Sequence, residues 1–343
     1  MQQRRMMEIP PLPFPALVAD IGGTNARFAI IPDTYGEIRN FVTVHTADYP
    51  DPVAAIEAEV LAKTLVIPKS LAIAMAGPVE GGRLTNADWE IRPKALLAAL
   101  ELDEVVVLND FEALALALPT LGEAELVRIG GGEAEPLGPR VVLGPGTGLG
   151  VAALVHGTQR FIPVPGEGGH MSFAPETDED FTLWPHLPRV GGRVTGETVL
   201  SGRGLAHIHQ AMAARDGAGA GLPTGEDVDA AARAGDARAK AAVELFAKYL
   251  GRFAGDLALL FLATGGVFIG GGIAPRLIAT LSSGAFRAAF DDKEPHSHLV
   301  RKMPAFVITD PRPALIGLAA FARMPNRFGM SLAGRRFTAG DHD

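Results

Sequence analysis

The sequence predicts a duplicated α/β fold built to hold phosphate groups, and three observations carry that prediction. Two glycine-rich turns lie far apart in the chain, and each joins one apolar strand to another: Gly22-Gly23-Thr24 within Val18–Ile31, and Gly146-Thr147-Gly148 within Val141–Leu154. In a P-loop or a dinucleotide fingerprint the glycine turn runs from a strand into a helix. Here β-branched and aromatic residues follow, so each turn reads as the tip of a hairpin. At 343 residues the chain also exceeds most single cores, which makes two domains the default.

The elements follow in order. Met1 to Pro15 carries Pro10, Pro11, Pro13 and Pro15 and reads as a loosely held lead-in. A hairpin covers Ala16 to Ile31 and a third strand lies near Phe41 to Val44. Apolar and alanine residues at three- and four-residue spacing predict a helix over Pro52 to Lys63. Ser70 to Met75 reads as a buried strand, Pro93 to Leu100 as a short helix, and Glu104 to Leu108 as a strand stopping at Asn109-Asp110. Phe111 to Leu118 resumes helical periodicity, completing strand–strand–strand–helix–strand–helix–strand–helix. Gly130 to Pro139 is a loose stretch before the second hairpin, and Phe161 to Trp184 is poor in regular pattern. Loops of that length inside compact domains are often functional. Helical pattern returns over Gly204 to Arg215 and over Glu226 to Leu262, broken near Gly235. A strand at Val267 to Ile269 opens into Gly270-Gly271-Gly272, with a helix starting at Pro275-Arg276-Leu277. Ala305 to Ile308 is the last strand, Pro313 to Arg323 the last helix, and Met324 to Asp343 reads as frayed.

Composition narrows the function classes. A net charge of −8 argues against a nucleic-acid partner, because an acidic surface repels the phosphate backbone. With no cysteine there are no disulfides, cysteine zinc sites or thiol catalysis, which fits an intracellular protein. No signal peptide is evident, and the best apolar run, Leu245 to Leu262, carries Lys248, Arg252 and Asp256 and reads as a buried amphipathic helix. The expected compartment is the cytoplasm, with no membrane partner.

The chemistry gathers at a few positions. Asp20 ends a strand beside Gly22, Gly23, Thr24 and Asn25, where backbone N–H groups can approach phosphate and the carboxylate could hold Mg²⁺ directly or through water. An ordinary tight turn is the plain alternative, and the second turn, Gly146-Thr147-Gly148, weighs against coincidence. Asp110 sits where a strand meets a helix: it is either a helix cap or a general base taking a proton from a substrate hydroxyl. Phosphoryl transfer through a loose transition state needs only a weak base to orient that hydroxyl. Glu167 and His170 in Pro165-Gly-Glu-Gly-Gly-His170, with Glu197, Asn109 and Asp110, would form a polar cup for a polyol, although each taken singly has a structural explanation. Gly270-Gly271-Gly272 either packs a strand against a helix or lets an adenine-ribose moiety rest on bare backbone. His207 and His209, two apart on a predicted helix, cannot face one metal, and His296 and His298 have no partnering cluster.

These motifs resemble those of bacterial glucokinases, the type without the cysteine zinc motif of the related repressor-and-kinase sugar family. The matching segments are Ala19–Arg27, Leu108–Phe111, Gly146–Gly150, Pro165–His170, Val199–Gly202, Gly266–Arg276 and Phe286–Phe290, within residues 16 to 325. The Pro-Gly-Glu-Gly-Gly-His loop and the Phe-Arg-Ala-Ala-Phe segment are the specific ones. The resemblance implies an actin-like, ribonuclease-H-like duplicated βββαβαβα fold of two domains with a central cleft. It divides the chain into an N-terminal extension (1–15), a small domain (16–120 with 309–330), a large domain (121–308) and a C-terminal tail (331–343). It implies ATP-dependent phosphorylation of D-glucose at the 6-hydroxyl, with Asp110 as base and Asn109, Glu167, His170, Glu197 and, from the less tightly matching Leu84–Trp89 segment, Asn86 on the sugar. The two turns would bracket the β- and γ-phosphates, Gly271 and Gly272 would lie against the adenosine, and Asp20 would serve Mg²⁺. It further implies a homodimer. A kinase for mannose or an N-acetylated amino sugar is the nearest alternative. A sugar-sensing regulator would need a helix-turn-helix for which the residues before the first strand are too few, and a dehydrogenase would need its glycine turn to enter a helix.

Overall fold

The computed structural model describes residues 9–77, 79–84 and 88–340. The first half of the chain opens with β1 (Ala16–Ile21), β2 (Asn25–Ile31) and β3 (Arg39–His45), a meander whose tip is the first glycine turn. Helix α1 (Pro52–Glu59) starts where Asp51 accepts a hydrogen bond from the Ala54 N–H at 2.9 Å and Pro52 supplies a preset φ. It ends earlier than its pattern suggests, the last residues to Lys63 tightening into a 3-10 turn. Then come β4 (Ser70–Met75), α2 (Pro93–Ala99), β5 (Glu104–Asn109) and α3 (Asp110–Ala117). Every residue of β4 is buried, as befits an apolar strand flanked by parallel neighbours β1 and β5.

The second half begins with β6 (Leu126–Gly130), β7 (Arg140–Pro145), β8 (Leu149–Gly157) and β9 (Arg160–Gly166). It continues through α4 (Asp178–Leu183), α5 (Gly196–Val199), α6 (Gly202–Arg215), α7 (Gly225–Ala234) and α8 (Ala237–Phe261). Gly235 in the left-handed region ends α7, and the Asp236 carboxylate starts α8 by accepting from Ala239, so the predicted break falls where glycine allows it. The chain then runs through β10 (Gly266–Ile269), α9 (Ile278–Leu281), α10 (Ala285–Asp291), α11 (Ser297–Val300) and β11 (Ala305–Ile308), and returns by α12 (Pro313–Arg323) and β12 (Arg336–Thr338).

The duplication is legible in the sheets. The first has the order β3-β2-β1-β4-β5-β12 and the second β9-β8-β7-β10-β11-β6. In the first, β1, β4 and β5 run parallel; in the second, β7, β10 and β11 do. An antiparallel edge strand closes each beyond the last parallel one, β12 on β5 and β6 on β11. This is the α/β actin-like architecture. Two compact units result: Met1–Leu121 with Leu154–Pro165 and Arg312–Asp343, and Gly122–Ala153 with Gly166–Pro311. Each has its own apolar core, one around Leu17, Phe28, Ile73 and Val107, the other around Val141, Phe246, Leu250 and Ile269.

Several expectations need correction. Over the described residues 324–340 the C-terminal stretch is not frayed: β12 pairs with β5 in register Arg336 to Val106, and Phe337 packs against the first core. The proline-rich lead-in is held from Ile9 onward. The Leu12 N–H donates to the Ala322 carbonyl at 3.0 Å, Asn326 bonds both backbone groups of Ile9, and the Ser70 hydroxyl donates to the Pro13 carbonyl. Strand β9 forms within the stretch read as patternless, despite Pro163 and Pro165, and β6, α4, α10 and α11 add short elements beyond the pattern. The helix expected from Pro275 is a 3-10 turn (Ala274–Leu277) followed by α9.

Candidate active site

In the first unit the candidate groups share one end of the sheet. Asp20 is in register with Ala74 of β4, and Ala74 with Leu108 of β5, so Asp20 and the Asn109-Asp110 pair lie at the carboxyl ends of parallel strands. Two strand spacings separate them, about 10 Å, a span suited to a ligand at the edge where open α/β sheets bind one. The hairpin turn is tight, the Gly22 N–H donating to the Asn25 carbonyl at 2.9 Å. Thr46 braces it from β3's end, its N–H bonding the Thr24 carbonyl and its hydroxyl the Gly23 carbonyl, while the Thr24 side chain stays exposed. The Asp20 carboxylate pairs with Arg27 at 3.1 Å. Burial pushes its carboxyl above the usual Asp range, and Arg27 pulls it back.

At the start of α3 the cap is Asn109. Its Oδ1 accepts from the Phe111 and Glu112 N–H groups, and its Nδ2 donates to the Gly77 carbonyl at 3.3 Å. Asp110 is therefore the first helical residue, its Oδ1 accepting from the Phe111 N–H at 2.9 Å. Of the two readings open for Asp110 in sequence, the capping role belongs to its neighbour.

In the second unit three predicted segments converge on Leu149. The turn closes through the Gly146 N–H and the Gly148 carbonyl at 2.8 Å, leaving Thr147 exposed. The next amide, Leu149 N–H, donates to Glu197 Oε2 at 3.0 Å. A side chain on Gly148 would meet that carboxylate at 2.5 Å, so glycine makes room for it. The loop carrying Glu167 and His170 lies on the carbonyl of Leu149: a Cβ on Gly169 would come within 2.0 Å of it. Glu167 and His170 are exposed, with carboxylate and imidazole 3.9 Å apart. The loop is tied to α5 by the Gly196 N–H donating to the Met171 carbonyl at 3.0 Å. The start of α6, just beyond α5, is tied to the turn, the Gly202 N–H donating to the Gly146 carbonyl at 2.8 Å. Gly271, at φ 78°, packs on the Pro145 carbonyl, so close packing accounts for it, whereas Gly272 faces open space.

Two contributors escape sequence reasoning. Arg193 reaches the His170 carbonyl and the Ser172 hydroxyl, a contact made when the Val190–Val194 segment folds back through Gly191-Gly192. Beneath the loop, Arg252 is buried against Phe173 and bonds the Ala174 carbonyl and Asp180. Burial raises the Asp180 carboxyl, but hydrogen bonds from the Glu176 N–H, the Tyr249 hydroxyl and the Thr177 N–H, with the Arg252 charge, bring it below the usual range. Asn86 lies outside the described residues. Among the described residues no cluster of three or more His, Asp or Glu side chains could hold a metal by itself, and no helix is long and apolar enough to cross a membrane. Asp20 offers one carboxylate, which suits an ion that takes its other ligands from phosphate and water.

A family model described as Glucokinase matches residues 17–325. A glucokinase of Chelativorans sp. is 52% identical over 329 residues, covering 95% of this chain and 96% of its own, and one of Sinorhizobium medicae is 50% identical over 328 residues, covering 95% and 97%. Among solved structures, a glucokinase from an Antarctic psychrotroph superposes with a TM-score of 0.81 at 36% identity, covering 91% of this chain and 98% of its own. Identity at this level over nearly the whole length carries ATP-dependent sugar kinase activity of the glucokinase type, and the chain belongs to the glucokinase family.

Proposed function

We propose that this chain transfers the γ-phosphoryl group of ATP directly to the 6-hydroxyl of D-glucose, with Asp110 as general base. The observation that carries this reading is the division of labour at the start of α3. Asn109 caps the helix, and Asp110 stands beside it at the carboxyl edge of the sheet that also bears Asp20 and the first glycine turn. In the step, the glucose O6 forms a bond to the γ-phosphorus as the bond from that phosphorus to the β,γ-bridging oxygen breaks. The O6 proton passes to the Asp110 carboxylate, and ADP leaves. Because the transition state is loose, proton transfer comes late and the carboxylate's main task is to orient the hydroxyl. Asn109, Glu167, His170, Glu197 and Asn86 would hold the remaining sugar hydroxyls, carboxylates accepting from them and amide or imidazole N–H groups donating.

The backbone N–H groups of Gly22–Asn25 and of Gly146–Gly148 would take the β- and γ-phosphate oxygens, with Thr24 and Thr147 adding exposed hydroxyls. Gly271 and Gly272 would border the adenosine. Mg²⁺, bound through Asp20 and the nucleotide, would offset phosphate charge. We further infer a cytoplasmic homodimer whose product feeds glycolysis, on the resemblance alone. A coupled assay of ADP release with ATP across glucose, mannose and N-acetylated amino sugars tests the substrate. The reading expects glucose to give the highest kcat/KM, and a higher value for another sugar would overturn it.

A further inference from the structure

We infer that Arg335, in the C-terminal segment, is a positioning residue for phosphoryl transfer: it grips the chain on both sides of Asn109-Asp110 and so fixes where the Asp110 carboxylate stands. The inference rests on the reading of Asp110 as base. The backbone carbonyl of Arg335 accepts from the Val107 N–H at 2.9 Å, two residues before Asn109. Its guanidinium Nη1 donates to both carboxylate oxygens of Glu112, at 2.9 and 2.7 Å, two residues after Asp110. Glu112 is 2% exposed in the first turn of α3, and Arg335 is the cation paired with its carboxylate there. One step further along, Arg336 bonds the buried Glu104 at the start of β5, and β12 holds the register.

Helix α12 restrains α3 by a second close contact. A Cβ on Gly317 of α12 would lie 1.8 Å from the Ala113 carbonyl, so the two helices touch backbone to backbone. Held by α12 on one side, by the Arg335–Glu112 pair on another and by the Asn109 cap at its end, the first turn of α3 has one place to be. An edge strand could be closed with apolar residues, which often match a buried ion pair in stability. What the charged pair adds is a directional hold on a single turn of helix, the turn that presents Asp110. Near-attack geometry is steep enough that a shift of about 1 Å can cost roughly a hundredfold in rate.

The test uses the full-length protein. Arg335→Met removes the grip and leaves Glu112 unpaired; Arg335→Met with Glu112→Gln removes the grip with no buried charge left behind, and is read if the single variant does not fold. Arg335→Lys is the conservative rescue. In variants whose thermal midpoint stays within about 5 °C of wild type, kcat is expected to fall by about tenfold or more while the KM values for glucose and ATP stay within about threefold. The Lys variant should recover most of the loss. Wild-type kcat in a folded Arg335→Met or double variant overturns the inference and leaves the segment a purely stabilising clasp. Asp110→Asn run alongside separates the two claims. If it is inactive while the Arg335 variants turn over normally, only the positioning role fails; if it is active, the assignment of the base fails first.

Discussion

Removing the Glu197 carboxylate should weaken nucleotide binding as well as sugar binding, although Glu197 was singled out only for the sugar. The reason is its bond to the Leu149 N–H at 3.0 Å, on the residue that follows Gly146-Thr147-Gly148. Leu149 is 5% exposed, so losing the acceptor strands a buried amide. A hydrogen bond to a charged group contributes about 1.5–3 kcal/mol. At about 1.4 kcal/mol per tenfold, the ordered turn would be populated roughly ten- to a hundredfold less. Water entering the space left by a truncated side chain recovers part of that, which points to the lower end. Glu197→Ala should therefore raise the KM for ATP about tenfold, together with the KM for glucose. Glu197→Gln keeps an oxygen for Leu149 and should raise the ATP value only about threefold while still impairing glucose. Initial-rate kinetics with each substrate varied at saturation of the other separate the two effects. An ATP KM unchanged in Glu197→Ala, with glucose KM raised, would refute the bracing role.

Two further outcomes follow from local geometry and charge. Gly169→Ala places a Cβ 2.0 Å from the Leu149 carbonyl, which is backbone and cannot step aside, so the Glu167–His170 loop must lift. The expected loss is about 1–3 kcal/mol of stability in chemical denaturation, with a glucose KM raised more than the ATP KM; wild-type values for both would contradict the packing. His209 accepts the Leu222 N–H on Nδ1, and burial, with Arg238 nearby and Asp236 opposing, holds its pKa below the ordinary value. Between that lowered value and the unfolded value of about 6.5 the unfolded chain binds a proton that the folded chain does not, so this residue's contribution makes stability rise with pH across the window. Urea midpoints from about pH 5 to 7.5 should depend less on pH in His209→Asn, which keeps an acceptor but does not titrate; an unchanged slope would remove His209 from the account.

What the sequence disclosed and what it withheld divide along physical lines. The two hairpins could be read because apolar, β-branched-containing stretches flank each glycine turn on both sides, which favours strand on either side of it. The α7–α8 break could be read because Gly235 and Asp236 carry stop and start signals in sequence. β12 could not. It is three residues long, and its Arg336, with Arg335 just before it, points to Glu104 and Glu112, partners more than two hundred positions away. The docking of residues 9–15 was hidden for a related reason: prolines signal irregular backbone, while the bonds holding it come from Asn326, Ala322 and Ser70. At the site, residue types were legible and their division of labour was not. Asn109 and Asp110 are both good cap residues, and only the backbone geometry assigns the cap to Asn109. Likewise the tie between Glu197 and the second turn depends on α5 folding back over Gly148, a contact that no local pattern encodes.

Asp110→Asn is the most direct test of the central claim. The substitution is isosteric and keeps an oxygen to accept the Phe111 N–H, so the first turn of α3 stays in place while the proton acceptor is removed. With saturating ATP and glucose, kcat should fall by about a hundredfold or more, while the glucose dissociation constant measured by calorimetry shifts only about threefold. Turnover near the wild-type rate in that variant would contradict the account.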